Sequence, residues 1–372
     1  MTPTFTGIRR ILMTTDTIGG VWSYTLELSR ALKPHGIEVI LAAMGRHLSP
    51  DQEAAIAAIE NVDLRQSTYR LEWMEEPWAD VKAAGNWLME IETATRPDLI
   101  HLNNYAHGAL PWRAPVLLVG HSCVFSWFTA VRGESPPGIW RRYHREVTQG
   151  LSGADAVTAP SQFMLDSLRN HYGNQFVAHA PIANGRRPDD FLPGKKAPFI
   201  LSAGRLWDAA KNVAVLERIA PDLSWPIVVA GDCRSPDGGE RSIQGIQHLG
   251  FVCPAEMAAW MGKASIFTMP ARYEPFGLSP LEAVLAGCVL VLGDIPSLRE
   301  VWGDSAVFVS PDDPDGLKAA LESLITQPDR RKRYAAKARR RALGYTSERM
   351  AGEYLQLYGE LVSAKQKPAV GK

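Results

Sequence analysis

A chain of 372 residues is long enough for two domains, each with a core of its own. Its 40 basic and 40 acidic side chains cancel, and residues 1–185, with 15 basic against 18 acidic, are only mildly negative. That balance excludes the basic excess needed for non-specific binding to nucleic acid or an anionic membrane.

The four cysteines, Cys123, Cys233, Cys253 and Cys288, follow no metal-ligand spacing, which fits a reduced, cytoplasmic chain. Arg9 and Arg10 are followed by only five residues before Asp16, too short for the apolar core of a secretory leader. No apolar run approaches the roughly 20 residues of a membrane helix, so the expectation is a soluble protein with at most a peripheral membrane contact.

In chain order, residues 8–14 predict a strand, and the turn TDTIGG leads into a helix. Val21, Leu28 and Leu32, with Tyr24 or Thr25 between, repeat at helical spacing as far as His35, where Gly36 caps. Residues 37–42 read as the next buried strand, completing a βαβ unit. Gly19 and Gly20 therefore stand where a Rossmann-like fold brings its backbone close to a ligand phosphate, although the turn lacks the G-x-G-x-x-G spacing. Residues 51–96 are mostly helical in pattern, with Trp73, Trp78, Trp87, Met74 and Met89 expected to pack. Residues 97–103 and 115–120 are further strands, and ligands collect at the carboxyl ends of such strands. Asn103, Asn104 and His121 fall at that edge, while His107 and His144 read as surface or packing residues. Residues 154–160 and 161–168 read as a strand and a capped helix, and the hinge is expected over residues 184–196.

The second half opens on a strand at residues 198–203, followed by GRLWDAAKN. Arg205 and Lys211 lie across a strand-to-helix turn, which would let both converge on one diphosphate. Residues 227–231, 246–251, 265–270 and 288–292 read as strands. Asp312, Asp313 and Asp315 lie beside Pro311 and Pro314 and read as turn and helix caps, and no Asp-x-Asp pair stands at a strand end to hold a metal. The basic run at residues 330–341 reads as a solvated helix face, with a membrane surface or acidic partner as the lesser alternative. A last helix beginning after Thr346 carries an apolar stripe of Met350, Tyr354, Leu357 or Tyr358, and Leu361; residues 365–372 read as a disordered tail.

The most informative stretch is residues 271–293, ARYEPFGLSPLEAVLAGCVLVLG. Ser279 reads as an N-cap, Pro280 as the first helical residue and Glu282 as the partner in a capping box, so the helix should begin at about Ser279. Pro275 and Gly277 leave Glu274 in the loop ahead, beside the amides of Phe276, Gly277, Leu278 and Ser279. The helix end suits a phosphate, and the acid suits sugar hydroxyls.

Glu274, seven residues, then Glu282, within EPFGLSPLE, resembles the signature of the retaining glycosyltransferases of GT-B fold, family 4. The resemblance implies an α/β fold of two Rossmann-like domains facing across a cleft, with the C-terminal helix crossing back to the first. The boundaries it implies are 1–184 for the acceptor-side domain, 185–345 for the nucleotide-sugar domain, 346–364 for the returning helix and 365–372 for the tail. Three strands with helices are expected before the signature and two after. The family's first Glu lies by the donor sugar and its second bonds the ribose, which carries those roles to Glu274 and Glu282. His121 matches the family's histidine pointing at the donor sugar, and Gly19 and Gly20 match a loop facing the donor phosphates or the acceptor. Arg205 and Lys211 match the G-R-L-x-x-x-K-G motif that neutralises the diphosphate, with one extra residue before Lys211 and Asn212 in place of the glycine. Residues 51–96 would shape the acceptor side, and the strand ends at Asp232 and Val252 would lie around base and ribose. The implied reaction moves a sugar from a UDP- or GDP-sugar to a hydroxyl acceptor, with retention by same-face displacement, without a metal and without a further cofactor. A nucleotide-sugar epimerase of the same fold and a non-catalytic nucleotide-sugar-binding scaffold are the alternatives.

Overall fold

The computed structural model describes residues 7–236 and 238–366. It divides into two compact units, residues 7–126, 134–185 and 347–366 in unit 1, and residues 127–133 with 186–346 in unit 2. Most of the expected tail lies outside the described residues.

Unit 1 alternates β1 (Arg10–Asp16), α1 (Gly20–Leu32), β2 (Glu38–Met44), α2 (Pro50–Ala57), β3 (Val62–Gln66), α3 (Trp78–Thr95), β4 (Leu99–Leu102) and β5 (Val116–Val119). After α4 (Val124–Arg132), most of which clusters with unit 2, come α5 (Arg141–Gly153), β6 (Ala156–Thr158) and α6 (Gln162–Tyr172). The sheet runs β3-β2-β1-β4-β5-β6, every pair parallel. Its central strands are apolar because helices cover both faces. Residues 51–96 are mostly helical, as expected, but β3 separates α2 from α3. At the sheet edge its VDLRQ sequence needs no continuous apolar run, so the strand leaves little trace in the pattern.

One backbone contact fixes the carboxyl end of β4. A Cβ on Gly150 of α5 would lie 1.8 Å from the carbonyl oxygen of Tyr105, and one on Gly108 would lie 2.2 Å from that of Gly150. Only glycine lets α5 pack this closely against the short 3-10 turn Ala106–Ala109 that follows Asn103 and Asn104.

Unit 2 contains β7 (Ala197–Ala203), α7 (Val213–Ile219), β8 (Ile227–Ala230), β9 (Gln247–His248), α8 (Pro254–Lys263), β10 (Ala264–Met269) and α9 (Leu278–Leu285). It continues with β11 (Val289–Gly293), α10 (Pro296–Trp302), β12 (Val307–Val309), α11 (Pro314–Thr326) and α12 (Pro328–Ala342). The order β12-β11-β10-β7-β8-β9 is again parallel. Four strands precede α9, one in each of the four segments read as strands, so the expected count of three is one short. The strand expected at 246–251 shrinks to two exposed residues, because Gly250 at φ 71° turns the chain away and leaves Phe251 62 % exposed.

The basic run on α12 is not simply a solvated face. Arg331 donates to the carbonyls of Leu324 and Ile325, Arg339 to that of Leu285, and Arg341 to those of Glu300 and Val301. These oxygens end α11, α9 and α10, so three guanidinium groups cap the negative poles of three helices.

The last helix, α13 (Ser347–Gln366), packs in unit 1 on α1. Met350, Tyr354, Leu357, Tyr358 and Leu361 are all buried, so both Leu357 and Tyr358 belong to the stripe. Ser347 donates to Glu27 of α1, and Tyr358 bonds His101 of β4 at 2.6 Å.

Candidate functional site

In unit 2 the loops leaving β7 and β10 are stitched together. Gly231, at the end of β8, has room for no side chain, since its Cβ would lie 1.8 Å from the carbonyl oxygen of Gly204. The chain leaving β7 therefore passes close beside the end of β8, and Leu206 N–H bonds the Asp232 carbonyl at 2.9 Å. Arg205 then donates to Asp208 at 2.8 Å and lies over the Trp207 ring. Asp208 is buried and caps the 3-10 turn Ala209–Lys211 through the Ala210 amide at 2.9 Å, while its other partner is the Trp127 indole N–H, also at 2.9 Å. Burial alone would raise its pKa; the Arg205 and Lys211 charges and these hydrogen bonds outweigh that and hold it below its ordinary value.

Lys211 reaches across to Glu274, Nζ to Oε2 2.5 Å, with both side chains largely buried. Asn212 follows in the left-handed region at φ 55°, ψ 39°. That conformation is the one a glycine would supply, and asparagine is among the few other residues that adopt it readily, so the departure from the motif preserves the turn. The Asn212 amide donates to the carbonyls of Pro270 and Pro311 at 3.0 and 2.8 Å, and its oxygen accepts from Arg272.

Glu274 is fixed a second way, since its carbonyl accepts from Ser297 Oγ at 2.6 Å. The helix after it starts differently from the sequence expectation. Gly277, at φ 93° and ψ 73°, is the N-cap of α9, with no side-chain cap, and Leu278 is the first helical residue. The capping box from Ser279 to Glu282 does not form, because the glycine turn places Ser279 and Pro280 already inside the first turn. Pro280 sits where an amide would lack an intrahelical partner anyway, since the first such bond runs from Leu281 N–H to the Gly277 carbonyl at 3.3 Å. Phe276 is buried edge-on against Tyr345, and Leu278 and Ser279 are half-exposed at the helix start. Glu282 turns instead to Arg186, Oε1 to Nη2 2.6 Å, a pair with side chains 14 % and 8 % exposed.

In unit 1 the corresponding edge carries Gly19 and Gly20, both exposed. Gly19, at φ 98°, is the N-cap of α1, and Gly20 is its first residue. His121, at the end of β5, bonds Asn103 Oδ1 through Nε2 at 2.7 Å and meets the Tyr24 ring edge-on. Desolvation pushes the His121 imidazole down to about 3, so it is neutral. Asn104 bonds Thr14 and His107, and His107 is a buried packing group bonded to the Val81 carbonyl.

Arg205, Lys211, Glu274 and the start of α9 thus come together in unit 2, while Gly19, Gly20 and His121 lie in unit 1. Arg186, Asp208, Trp127 and Ser297 escaped the sequence reading. Asp208 had a signal in its spacing of three from Arg205, whereas Arg186 and Glu282 are 96 residues apart and left none.

Two six-stranded parallel sheets with helices between their strands define two Rossmann-like units of the GT-B fold. Residues 18–186 match the family model Glycosyltransferase Family 4, and residues 197–327 match Glycosyl transferases group 1. The phosphatidyl-myo-inositol mannosyltransferase of Mycolicibacterium smegmatis is 26 % identical over 95 % of this chain and 94 % of its own. Among solved structures, sucrose-phosphate synthase from Thermosynechococcus elongatus superimposes with a TM-score of 0.79 at 18 % identity, covering 96 % of this chain and all of that one. Anabaena HepE in complex with UDP and glucose gives 0.73 at 14 %, covering 95 % and 100 %. The chain belongs to glycosyltransferase family 4 and is a transferase. Among the described residues no helix is long and apolar enough to cross a membrane.

Proposed function

We propose that this enzyme transfers a sugar from a nucleoside diphosphate sugar, a UDP- or GDP-sugar, to an acceptor hydroxyl with retention at the anomeric carbon. The observation that carries the proposal is the Lys211–Glu274 pair, with Arg205 held on Asp208 beside the start of α9. A departing diphosphate needs its charge neutralised, and two cations with helix-terminal amides supply that without a resident metal. Lys211 then exchanges part of its contact with Glu274 for phosphate, and the Glu274 carboxylate accepts from sugar hydroxyls. Glu282, oriented by Arg186, accepts from the ribose. On the unit 1 side, Gly19, Gly20 and His121 are the residues assigned to the donor. The acceptor oxygen attacks on the face that the nucleotide leaves, so its proton passes to the departing phosphate oxygen and no covalent intermediate on the protein is required. The UDP and glucose held by HepE and the mannosyl transfer named for the mycolicibacterial relative support a nucleotide-sugar donor.

The test is an assay of UDP- and GDP-sugars in the presence of cell-extract acceptors, with product masses and the anomeric configuration read by NMR. Transfer with the donor's configuration kept, at a rate unchanged by EDTA, is the expected result. Inversion, or loss of activity on chelation restored by a divalent cation, overturns the corresponding part of the reading.

A further inference from the structure

Four charged side chains gather on the loops leaving β7 and β10, and three of them have a part in the proposed reaction: Arg205 and Lys211 toward the diphosphate, Glu274 toward the sugar hydroxyls. The fourth, Asp208, is a negative charge among groups assigned to a negative ligand, and it has no ligand of its own. Its side chain is 4 % exposed, against 38 % for Arg205. Oδ1 accepts twice, from the Ala210 amide and the Trp127 indole N–H, each at 2.9 Å, so the carboxylate is held from two sides. Oδ2 takes one end of the Arg205 fork, Nη2, at 2.8 Å, and the Trp207 ring lies 5.5 Å from the guanidinium carbon. A guanidinium tied at one end to a fixed anchor and backed by a ring keeps further N–H donors to present.

The same anchor works against binding. Arg205 pairs with Asp208 and Lys211 with Glu274, so the four charges sum to zero before a ligand arrives. A site shaped only to retain an anion would do better without the buried carboxylate, because like charges repel strongly through protein.

We propose that Asp208 is a positioning residue with two effects: it sets the Arg205 guanidinium for the departing diphosphate, and its charge weakens the hold on the free nucleoside diphosphate, speeding product release. Both effects rest on the glycosyltransferase reading. Turnover gains from contacts made as the leaving group forms and loses by those that retain it afterwards.

The test is Asp208→Asn in the full chain, which keeps an oxygen for Ala210 and Trp127 but removes the charge and turns an N–H toward Arg205. The single-turnover rate is expected to fall about tenfold or more, from a misplaced guanidinium, while calorimetry should show UDP or GDP binding about tenfold tighter. A side chain needed only for folding would not tighten a ligand while slowing transfer. In an Arg205→Ala background, Asp208→Asn should slow single turnover no further and still tighten the nucleotide, because only the positioning acts through Arg205. Trp127→Phe removes one anchoring bond and keeps the charge, so it should slow single turnover with nucleotide affinity unchanged, and it decides the positioning even where Asp208→Asn does not fold. A wild-type single-turnover rate in either variant, or the same fall again without Arg205, overturns the positioning. Nucleotide binding that is unchanged or weaker in Asp208→Asn overturns the effect on release. Binding of neither UDP nor GDP by the wild type overturns the glycosyltransferase reading itself, and the proposal with it.

Discussion

Replacing Glu274 by Gln keeps the size of the side chain but removes the charge that lies 2.5 Å from Lys211. Transfer should fall by about a hundredfold or more in kcat, as for loss of a preorganised electrostatic group, with the circular dichroism spectrum unchanged. Unchanged kcat would remove Glu274 from the site. Arg186→Met acts differently, because it strands the largely buried Glu282 carboxylate. It should cost about 3 kcal/mol in denaturant titration, and raise KM for the donor more than it lowers kcat. At this scale the sequence disclosed residues whose neighbours in the chain constrain them. Arg205, Lys211 and Glu274 sit beside glycines, prolines and strand ends, whereas Arg186 and Ser297 act through partners 96 and 23 residues away, and folding alone brings those together.

Helix α9 shows how one backbone angle overrides a side-chain pattern. Ser279, Pro280 and Glu282 satisfy the local rules for a helix start, yet Gly277 at φ 93° begins the helix sooner. Gly277→Ala would be strained at that angle, with its Cβ 3.2 Å from Pro280 Cγ and 3.4 Å from Leu298 Cδ2. A loss of about 1–3 kcal/mol in chemical denaturation is expected, and stability equal to wild type would mean that the glycine is not needed there. The buried strands were legible because parallel strands covered on both faces are almost continuously apolar. The edge strand β3 was not, since a half-exposed strand carries polar residues, and β9 was placed but over-extended, read over residues 246–251 where only Gln247–His248 pair.

Across the whole molecule, the ionisable groups with the strongest burial effects divide unequally between the units. In unit 1 desolvation holds His101 at about 3 and pushes His107 in the same direction, while Glu72 is raised to about 7, also by burial. Below about pH 6.5 the unfolded chain takes up protons on histidines that the folded unit refuses, so stability falls with acid, by about 1.4 kcal/mol per pH unit for His101, and His107 acts in the same direction. Half-exposed His121 adds less. Glu72 works the other way, contributing stability that is lost as pH rises from about 4.5 to 7, but one group opposes three. In unit 2, Asp208 and Asp294 are lowered, so their stabilisation persists until the pH falls through the carboxylate range. Calorimetry from pH 7.5 to 5 should therefore show one transition moving to lower temperature ahead of the other, and the later one should be the transition that UDP raises. Equal movement of both would refute the unequal division.

The arginines of α12 have a further bearing on how unit 2 could be isolated. A fragment stopped at Gln327 would retain every strand of the second sheet yet leave bare the terminal carbonyls of α9, α10 and α11 that Arg339, Arg341 and Arg331 cover. The smallest self-sufficient piece is thus longer than its sheet suggests, and its last indispensable segment is one that adds no strand and touches no proposed ligand.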